Sequence, residues 1–477
     1  MQPSSQEQIS KIAKFFSIKE EYIKQTYEDL ILGNSNKFLI SNARINTSDT
    51  SIFDTYEIDF ENCHFCSDLN FSIDIIECKN LSIKGITFHN CYFDSRIMFE
   101  NSVYSVFFSF KQCNFHKGIT INSCTFKCSF FICNSIMIDS LSIKNSYFTK
   151  IADFTNIQTL SADFSRNNFA ENIYFNNSHF KQEVDFHEST FEKTACFYGA
   201  RFKKIPNFSQ VIFKENLNFV NTKLDFNYAD LKRDIEKSQQ HLGKKPNNEK
   251  ANDFRDSFRL IKNALIKGNN LLDASSYYKN ELYCKEIELD SKNPKPFSKE
   301  WIDKWQLFIY RNLCDHHTDR LKSLNSLVIV IGIFTLFSLY AMFWVGTIYN
   351  LIPSDNFPTN FLNLPKLYAI HIKDLTQQSP VFFAVMNFCL TVLFILLFLF
   401  TLMHKAVRNI IIALSYTFVV ILLIFSPKYL IPAISIFTDK REILDSLSTI
   451  GAIYTILFAL VLYSFIKSIR KSSIVPS

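Results

Sequence analysis

A large apolar residue returns along the middle of the chain after five positions, then six, then five again. This spacing gives an eleven-residue repeat with two apolar positions, here termed posts. The residue two before each post is apolar or small in most units, and a spacing of two places both side chains on one face of an extended segment. The most regular posts are Phe164, Phe169, Phe175, Phe180, Phe186, Phe191, Phe197, Phe202, Phe208, Phe213, Phe219 and Leu224.

The same rhythm continues toward the N terminus, with irregularities near residues 155–163 and 77–87, and reaches back to Phe60. An α-helix does not account for it, because apolar residues five and six apart drift around the helix axis instead of forming one stripe. A chain that turns about every five or six residues and stacks on itself does account for it. The pattern therefore predicts a β-solenoid over residues 59–226, with the posts in its core.

This region resembles the pentapeptide-repeat proteins, in the variant with alternating steps of five and six residues. The resemblance implies a right-handed, four-sided (quadrilateral) β-helix of about 22 residues per coil, with roughly 7–8 coils stacked about 4.8 Å apart over about 36 Å. The commonest central residue of that family is Leu, whereas here it is Phe. The coils could therefore be wider or less square than the commonest form.

Helical segments are expected on both sides of the repeats. Residues 1–58 are interpreted as an N-terminal helical and capping segment, because Ser5 and Ser17 each begin a capping box and an open coil needs a cover for its strand edges. The alternative for this segment is a partner-binding helix. Residues 227–325 are interpreted as a helical connector with a hairpin over 251–289, either a packed spacer or a unit similar to a tetratricopeptide hairpin.

Four long apolar runs follow, and none of them contains Lys, Arg, Asp, Glu or His. Their lengths predict four transmembrane helices in an all-α membrane domain over residues 326–477. The runs are about Leu327–Tyr349, Val381–Met403, Asn409–Ser426 and Leu447–Ile466.

Basic residues set the expected orientation in the membrane. Lys and Arg lie before the first run, between the second and third runs, and in the C-terminal tail. The positive-inside rule then predicts a multi-pass protein of the bacterial inner membrane with the solenoid and both termini in the cytoplasm. The loops at about 350–380 and 427–446 would face outward. Trp301 and Trp305 suit the headgroup layer of the membrane lipid.

Charge argues against nucleic acid as a partner. Phe accounts for 51 of the 477 residues, and 27 of these lie between positions 60 and 226, as a Phe-filled core requires. The same region holds 16 Lys and Arg against 16 Asp and Glu. A neutral solenoid lacks the basic surface that binds nucleic acid, and it lacks the acidity of the pentapeptide-repeat proteins that mimic DNA.

The cysteines of the repeats follow the repeat pattern. Cys63, Cys91, Cys113 and Cys124 stand two before a post, where other units have Ser. They are interpreted as small core residues, and unpaired thiols suit a reducing compartment such as the cytosol. Cys63 and Cys66 form a CxxC, but no second pair follows at zinc-ribbon spacing, so no metal site is predicted.

No catalytic residue and no cofactor-binding motif is found in the sequence. Nine glycines offer little material for a phosphate-binding loop, and HExxH and GxSxG do not occur. Acidic residues of the repeats fall on outward positions, where solvation is the ordinary expectation. His316 and His317 are expected to form an exposed polar turn, because further metal ligands are lacking nearby. The protein is therefore not expected to be an enzyme.

Two functions fit these observations. The first is a membrane-anchored scaffold whose cytoplasmic solenoid binds an unidentified cytosolic protein. The second is an oligomeric channel or transport component gated by the solenoid, since four spans exceed what an anchor needs. The apolar runs lack the ionisable residues that most transporters use, which favours the scaffold. Homo-oligomers would favour the channel, because a four-helix subunit needs copies of itself to enclose a pore.

Overall fold

The computed structural model describes residues 5–25, 37–71, 85–222, 224, 226–237, 245–348, 368, 370–425 and 445–472. The chain forms two compact units, Met1–Pro294 and Lys295–Ser477. Each unit has its own hydrophobic core. The two loops predicted to face outward, about 350–380 and 427–446, lie mostly outside the described residues.

The first unit contains a β-solenoid of about eight turns, as the repeat pattern predicts. Successive strands along the chain join four sheets in turn, so the solenoid has four faces, labelled A, B, C and D in chain order. Strands on each face pair in parallel with the next coil, except for the antiparallel first pair of face A. The strands are short because the chain turns a corner after each post.

The strand bounds are given face by face. Face A contains Ile23–Gln25, Lys37–Ser41, Glu57–Glu61, Gly85–His89, Phe107–Lys111, Phe130–Cys133, Ala152–Asp153, Ile173–Tyr174, Ala195–Cys196 and Leu217–Asn218. Face B contains Arg44–Ile45, His64–Phe65, Tyr92–Phe93, Asn114–Phe115, Ile136–Met137, Gln158–Thr159, His179–Phe180 and Arg201–Phe202. Face C contains Leu69–Asn70, Ile97–Glu100, Ile119–Asn122, Ser140–Lys144, Ser161–Asp163 and Val184–Asp185. Face D contains Val103–Tyr104, Thr125–Phe126, Tyr147–Phe148, Asn168–Phe169, Thr190–Phe191 and Ile212–Phe213.

Neighbouring coils are offset by 22 residues through most of the stack, as in the pairing of Phe88 with Phe110. Two coils depart from this period. Phe60 pairs with Phe88, a step of 28 residues, and Ala152 pairs with Ile173, a step of 21. These departures coincide with the two irregularities of the sequence pattern. The strand register therefore confirms both the period and the places where it slips.

Aromatic rings of the posts fill the interior in columns. Phe164, Phe186 and Phe208 form one column on face C, with ring centroids 5.1 and 4.8 Å apart. Rings of different faces meet edge to face, as Phe186 does with Phe197 at 5.5 Å. Offset and perpendicular arrangements suit the aromatic quadrupole, and each such pair adds about 0.5–1.5 kcal/mol beyond apolar burial. The columns explain why Phe is so abundant in this region.

Two corners of each coil use a backbone conformation that L-residues rarely adopt. The residue there has a positive φ, such as 52° at Asn90 and 57° at Asn156, and asparagine tolerates this conformation better than most residues. Side-chain amides also link the corners, as Asn90 Nδ2 donates to Asn62 Oδ1 at 2.7 Å. Asparagine holds these corners at Asn42, Asn62, Asn90, Asn101, Asn134, Asn145, Asn156, Asn177 and Asn221.

The small residue after each such corner completes the hydrogen bonding of the backbone. The hydroxyl of Ser135 accepts from the backbone N–H of Cys113 at 3.0 Å. The hydroxyl of Ser178 accepts from the N–H of Ile157 at 3.1 Å and donates to the carbonyl of Phe154 at 2.6 Å. A buried backbone group without a partner would cost about 1–3 kcal/mol. This requirement favours small polar side chains at these positions.

The solenoid begins earlier than the repeat pattern predicts. Lys37–Ser41 and Arg44–Ile45 already stack in parallel on the following coil, with Ile40 opposite Phe60. The segment 1–58 is therefore only partly helical, which corrects the expectation of a helical cap over its whole length. The early coil was missed because its core holds Ile and Ala as well as Phe, so the spacing of large residues is less regular.

The N-terminal end of the stack is covered as expected. Helix α1, Ser5–Phe16, starts at the first predicted capping box. Its Phe16 is buried and meets Phe60 edge to face at 5.6 Å. The second predicted box, at Ser17, does not begin an α-helix. A 3₁₀ turn, Glu20–Tyr22, leads instead into the strand Ile23–Gln25, which covers the edge of face A by antiparallel pairing.

Three helices cover the other end of the solenoid, namely α2 (Tyr228–Lys237), α3 (Asn247–Lys267) and α4 (Leu271–Lys292). The expected hairpin over 251–289 corresponds to α3 and α4. A direct contact to the last coils is made by the backbone N–H of Phe208, which donates to Ser257 Oγ on α3 at 2.8 Å. These helices share one continuous core with the coils.

The second unit is all helical within the residues described. Its core includes the buried Phe394 and Tyr454, and Tyr454 stacks on Phe334 with ring centroids 4.1 Å apart. A short helical stretch lies at 370–378. The long helices are α5 (Lys299–Cys314), α6 (Arg320–Ile348), α7 (Pro380–Met403), α8 (Lys405–Phe425) and α9 (Ser446–Ser472).

Three of these helices are long and apolar enough to cross a membrane, over Arg320–Val345, Pro380–Met403 and Ser446–Arg470. They coincide with three of the four predicted spans. The remaining predicted span, Asn409–Ser426, falls on α8, and its crossing of the membrane stays a prediction.

Candidate interaction groove on face C

A groove runs along face C near the C-terminal end of the solenoid and has a volume of about 680 Å³. Residues of Ser140–Lys144, Ser161–Asp163 and Val184–Asp185 line its floor. Lys237 from α2 and Phe254 from α3 line its side. Ligand sites in proteins commonly enclose about 300–1,000 Å³, so this groove is large enough for a short segment of another protein.

Polar side chains form a ladder along the floor of the groove. Asp163 and Asp185 lie opposite each other on paired strands, and Asn207 follows in the next coil. Each of them comes directly before a post in the sequence. Because alternate residues of a strand point to opposite sides, the post faces the core and the ladder residue faces the groove.

Local hydrogen bonds hold the ladder in position. Asp163 Oδ1 accepts from the backbone N–H of Ser165 at 3.0 Å, and Asp185 Oδ1 accepts from that of His187 at 2.8 Å. The side-chain amide of Asn207 donates to Asp185 Oδ1 at 3.0 Å. Asp and Asn are suited to such turns because their short side chains bond the backbone two residues on. The carboxylates are therefore fixed before any ligand binds.

The carboxyl group of Asp185 titrates close to neutral pH. Burial, with a contribution from the Asp163 carboxylate, raises the pKa of Asp185 to about 6, although the hydrogen bonds from His187 and Asn207 favour the ionised form. Asp163 is partly neutralised by Lys144, whose Nζ lies 2.6 Å from its Oδ2. The two opposed carboxylates thus differ in their capacity to accept a further cation.

The groove carries more acidic than basic groups, although the repeat region as a whole is neutral. Its acidic residues are Asp139, Asp163, Glu183 and Asp185, and its basic residues are Lys144 and Lys237. Carboxylates at the pitch of the coils offer acceptors for Lys, Arg and amide groups. The chemistry of the groove therefore suits a cationic or hydrogen-bond-donating segment.

The twelve posts lie in the core rather than in the groove. Eleven are buried, and Phe213 near the end of the stack is partly exposed. The posts contribute to the groove through the backbone, because Phe164, Phe186 and Phe208 each fix the orientation of the ladder residue that precedes them. They are structural residues in this arrangement.

Sequence reasoning missed the groove because it treated the outward acidic residues as solvated. A signal was present, since an Asp or Asn stands directly before every second post at Asp163, Asp185 and Asn207. The wall formed by α2 and α3 has no counterpart in the repeat pattern. It depends on how the helices pack on the last coils.

The cysteines of the small positions are buried, which agrees with their interpretation as core residues. Cys63, Cys91, Cys113 and Cys124 are at most 2% exposed. Hydrogen bonding with Cys113 raises the pKa of the Cys91 thiol to about 12, and burial raises that of Cys124. Such thiols stay protonated at neutral pH and are poor nucleophiles.

The expectation of an exposed turn at His316 and His317 is wrong for His316, which is only 2% exposed. Burial lowers its pKa to about 3, so the imidazole stays neutral at physiological pH. His317 Nδ1 lies 3.4 Å from Cys314 Sγ. Packing in the second unit, which local polarity does not reveal, encloses this turn.

Comparison of the chain with protein-family models, with curated proteins and with solved structures gives no match. Membership of the pentapeptide-repeat proteins therefore stays a prediction that rests on residue spacing and on the four-faced coil of about 22 residues.

Proposed function

We propose that the protein is a membrane-anchored scaffold of the pentapeptide-repeat type whose groove on face C binds a segment of a cytosolic protein. The observation that carries this proposal is a preorganised acidic groove on a solenoid whose chain also bears three helices of membrane-spanning length. Neither binding nor anchoring requires a catalytic step, so the proposed role is not enzymatic.

The proposed partner segment is basic and extended. The ladder repeats its carboxylate at the spacing of adjacent coils, about 4.8 Å, which suits side chains that project from an extended peptide. Asp185 gains most from such a partner, because a cation beside it lowers the free energy of its ionised form. Phe254 adds an apolar contact at the side of the groove.

The proposed location is the inner (cytoplasmic) membrane of a bacterium, with the solenoid in the cytoplasm. Basic residues before the first span and in the C-terminal tail support this orientation. The free, buried cysteines of the solenoid support a reducing compartment.

Site-specific photocrosslinking in living cells tests the proposal. A photoreactive residue replaces the exposed Gln182 in the groove or, as a control, the exposed Tyr198 outside it. The expected result is a crosslinked protein from position 182 only. Its loss in the double variant Asp139→Lys, Glu183→Lys would assign the contact to the charge of the groove.

The opposite outcomes are equally clear. Equal crosslinking from both positions, or crosslinking that survives the charge reversal, would refute binding in the groove. Crosslinks to further copies of this chain alone would favour the oligomeric channel instead.

A further inference from the structure

Three side chains that can ligate a metal meet on the outer surface of the solenoid near its N-terminal end. His64 and Cys66 flank the buried post Phe65, so both point outward. Asp94 lies one coil further on, where its backbone N–H donates to the carbonyl of Phe65 at 2.9 Å. His64 Nε2 is 2.7 Å from Asp94 Oδ2, and the three ligand atoms lie within 4.8 Å of one another.

We propose that His64, Cys66 and Asp94 form a binding site for a divalent transition-metal ion of the zinc type. Zinc–ligand bonds of about 2.0–2.3 Å in a tetrahedron place ligand atoms roughly 3.3–3.8 Å apart. Small side-chain rotations bring the three atoms to that spacing. A set of imidazole, thiolate and carboxylate favours Zn²⁺ or Co²⁺ over Mg²⁺ and Ca²⁺, which prefer oxygen ligands.

Arg44 of the preceding coil is a positioning residue for this site. Its Nε–H donates to Cys66 Sγ at 3.1 Å. A guanidinium beside the sulfur favours the thiolate, which is the form that ligates metals. Hydrogen bonds of this kind also orient a ligand and tune its affinity. Arg44 has no lone pair to offer, so it acts through Cys66.

The CxxC of the sequence does not describe this site. Cys63 is fully buried and its Sγ donates to the carbonyl of Ile40 at 3.3 Å, so it is directed away from Cys66. The metal ligands come instead from adjacent coils, 28 residues apart in the chain. His116 occupies the position equivalent to Asp94 in the next coil, where its N–H donates to the carbonyl of Phe93, and it is the candidate for a fourth ligand.

Titration of the full-length, chelator-treated protein in detergent with Co²⁺ tests the site. Tetrahedral cobalt bound to a thiolate gives visible d–d bands and a sulfur-to-metal charge-transfer band. The expected result is saturation at one equivalent and loss of the bands on addition of Zn²⁺. Cys66→Ser is expected to abolish the charge-transfer band, and His64→Gln and Asp94→Asn to weaken binding by ~10–100-fold or more.

Cys128→Ser is the matched control, because Cys128 is also partly exposed on the solenoid but its Sγ donates to the carbonyl of Ser105 at 3.1 Å. It is expected to leave the titration unchanged. Arg44→Gln is expected to move the pH midpoint of Co²⁺ binding upward, because the thiolate forms less readily. A wild-type protein without saturable bands, or a charge-transfer band that persists in Cys66→Ser, would overturn the assignment. The site lies on face B, so its failure leaves the groove on face C untouched.

Discussion

Replacement of Phe186 by Ala is expected to destabilise the solenoid by about 4 kcal/mol. Phe186 is fully buried and stacks between Phe164 and Phe208, with ring centroids 5.1 and 4.8 Å away. Edge-to-face contacts with Phe175 at 5.4 Å and Phe197 at 5.5 Å complete its surroundings. Truncation of a buried Phe costs ~3–5 kcal/mol, since the coils above and below cannot close the cavity without losing their pairing.

Buried thiols of the solenoid report its unfolding within the full-length protein in detergent. Labelling of Cys91, Cys113 and Cys124, followed by mass spectrometry during a urea titration, gives the unfolding midpoint. With a urea dependence of ~2 kcal/mol per molar, a loss of about 4 kcal/mol lowers that midpoint by about 2 M. The control Phe186→Leu should lower it by less than half as much, because Ile143 fills the same column in another coil. A midpoint shift of Phe186→Ala below about 0.3 M would refute the proposed packing.

Three further predictions follow from the ladder, the corners and the spans. Because burial raises the pKa of Asp185 from 3.8 to about 6, the folded state binds its proton first as pH falls, so Asp185 costs stability above pH 6; Asp185→Asn should gain about 1 kcal/mol at pH 8 and nothing at pH 4. Thermal unfolding at both pH values checks this, and an equal shift at both would contradict it. Asn156→Val should lose about 1–2 kcal/mol and Asn156→Gly much less, because φ is positive there; equal losses would exclude backbone strain. Cysteines placed at Ser354 and Ser472 should label from opposite sides of the membrane, and labelling of both from the cytoplasm would contradict the four-span topology.

The repeat pattern determined most of the solenoid because one physical requirement, a post that fills the core of each corner, recurs at almost every unit. Phe88 and Phe110 were therefore placed correctly with no knowledge of the structure. The first coils escaped because Ile40 and Ala43 satisfy the same requirement with smaller side chains. A regular spacing of large residues is sufficient for this fold but is not necessary.

The candidate sites depend on residues that the coil brings together across long separations. Asp163 and Asp185 meet only because the register between two coils is fixed, and Phe254 reaches the groove only because α3 packs on the last coils. His64 and Asp94 meet across an irregular step of 28 residues. Periodicity predicts that neighbouring coils stack, but the outward side chains carry no constraint that would reveal their partners.

The central claim is that the solenoid recruits a soluble protein to the membrane through the groove on face C. Quantitative mass spectrometry of the membrane fraction tests it most directly, in cells with the wild-type chain, the groove variant Asp139→Lys, Glu183→Lys, or the control Glu171→Lys outside the groove. The account predicts a protein that is enriched with the wild type and the control and returns to the soluble fraction with the groove variant. A membrane proteome that is the same in all three strains, while the chain itself remains in the membrane, would contradict it.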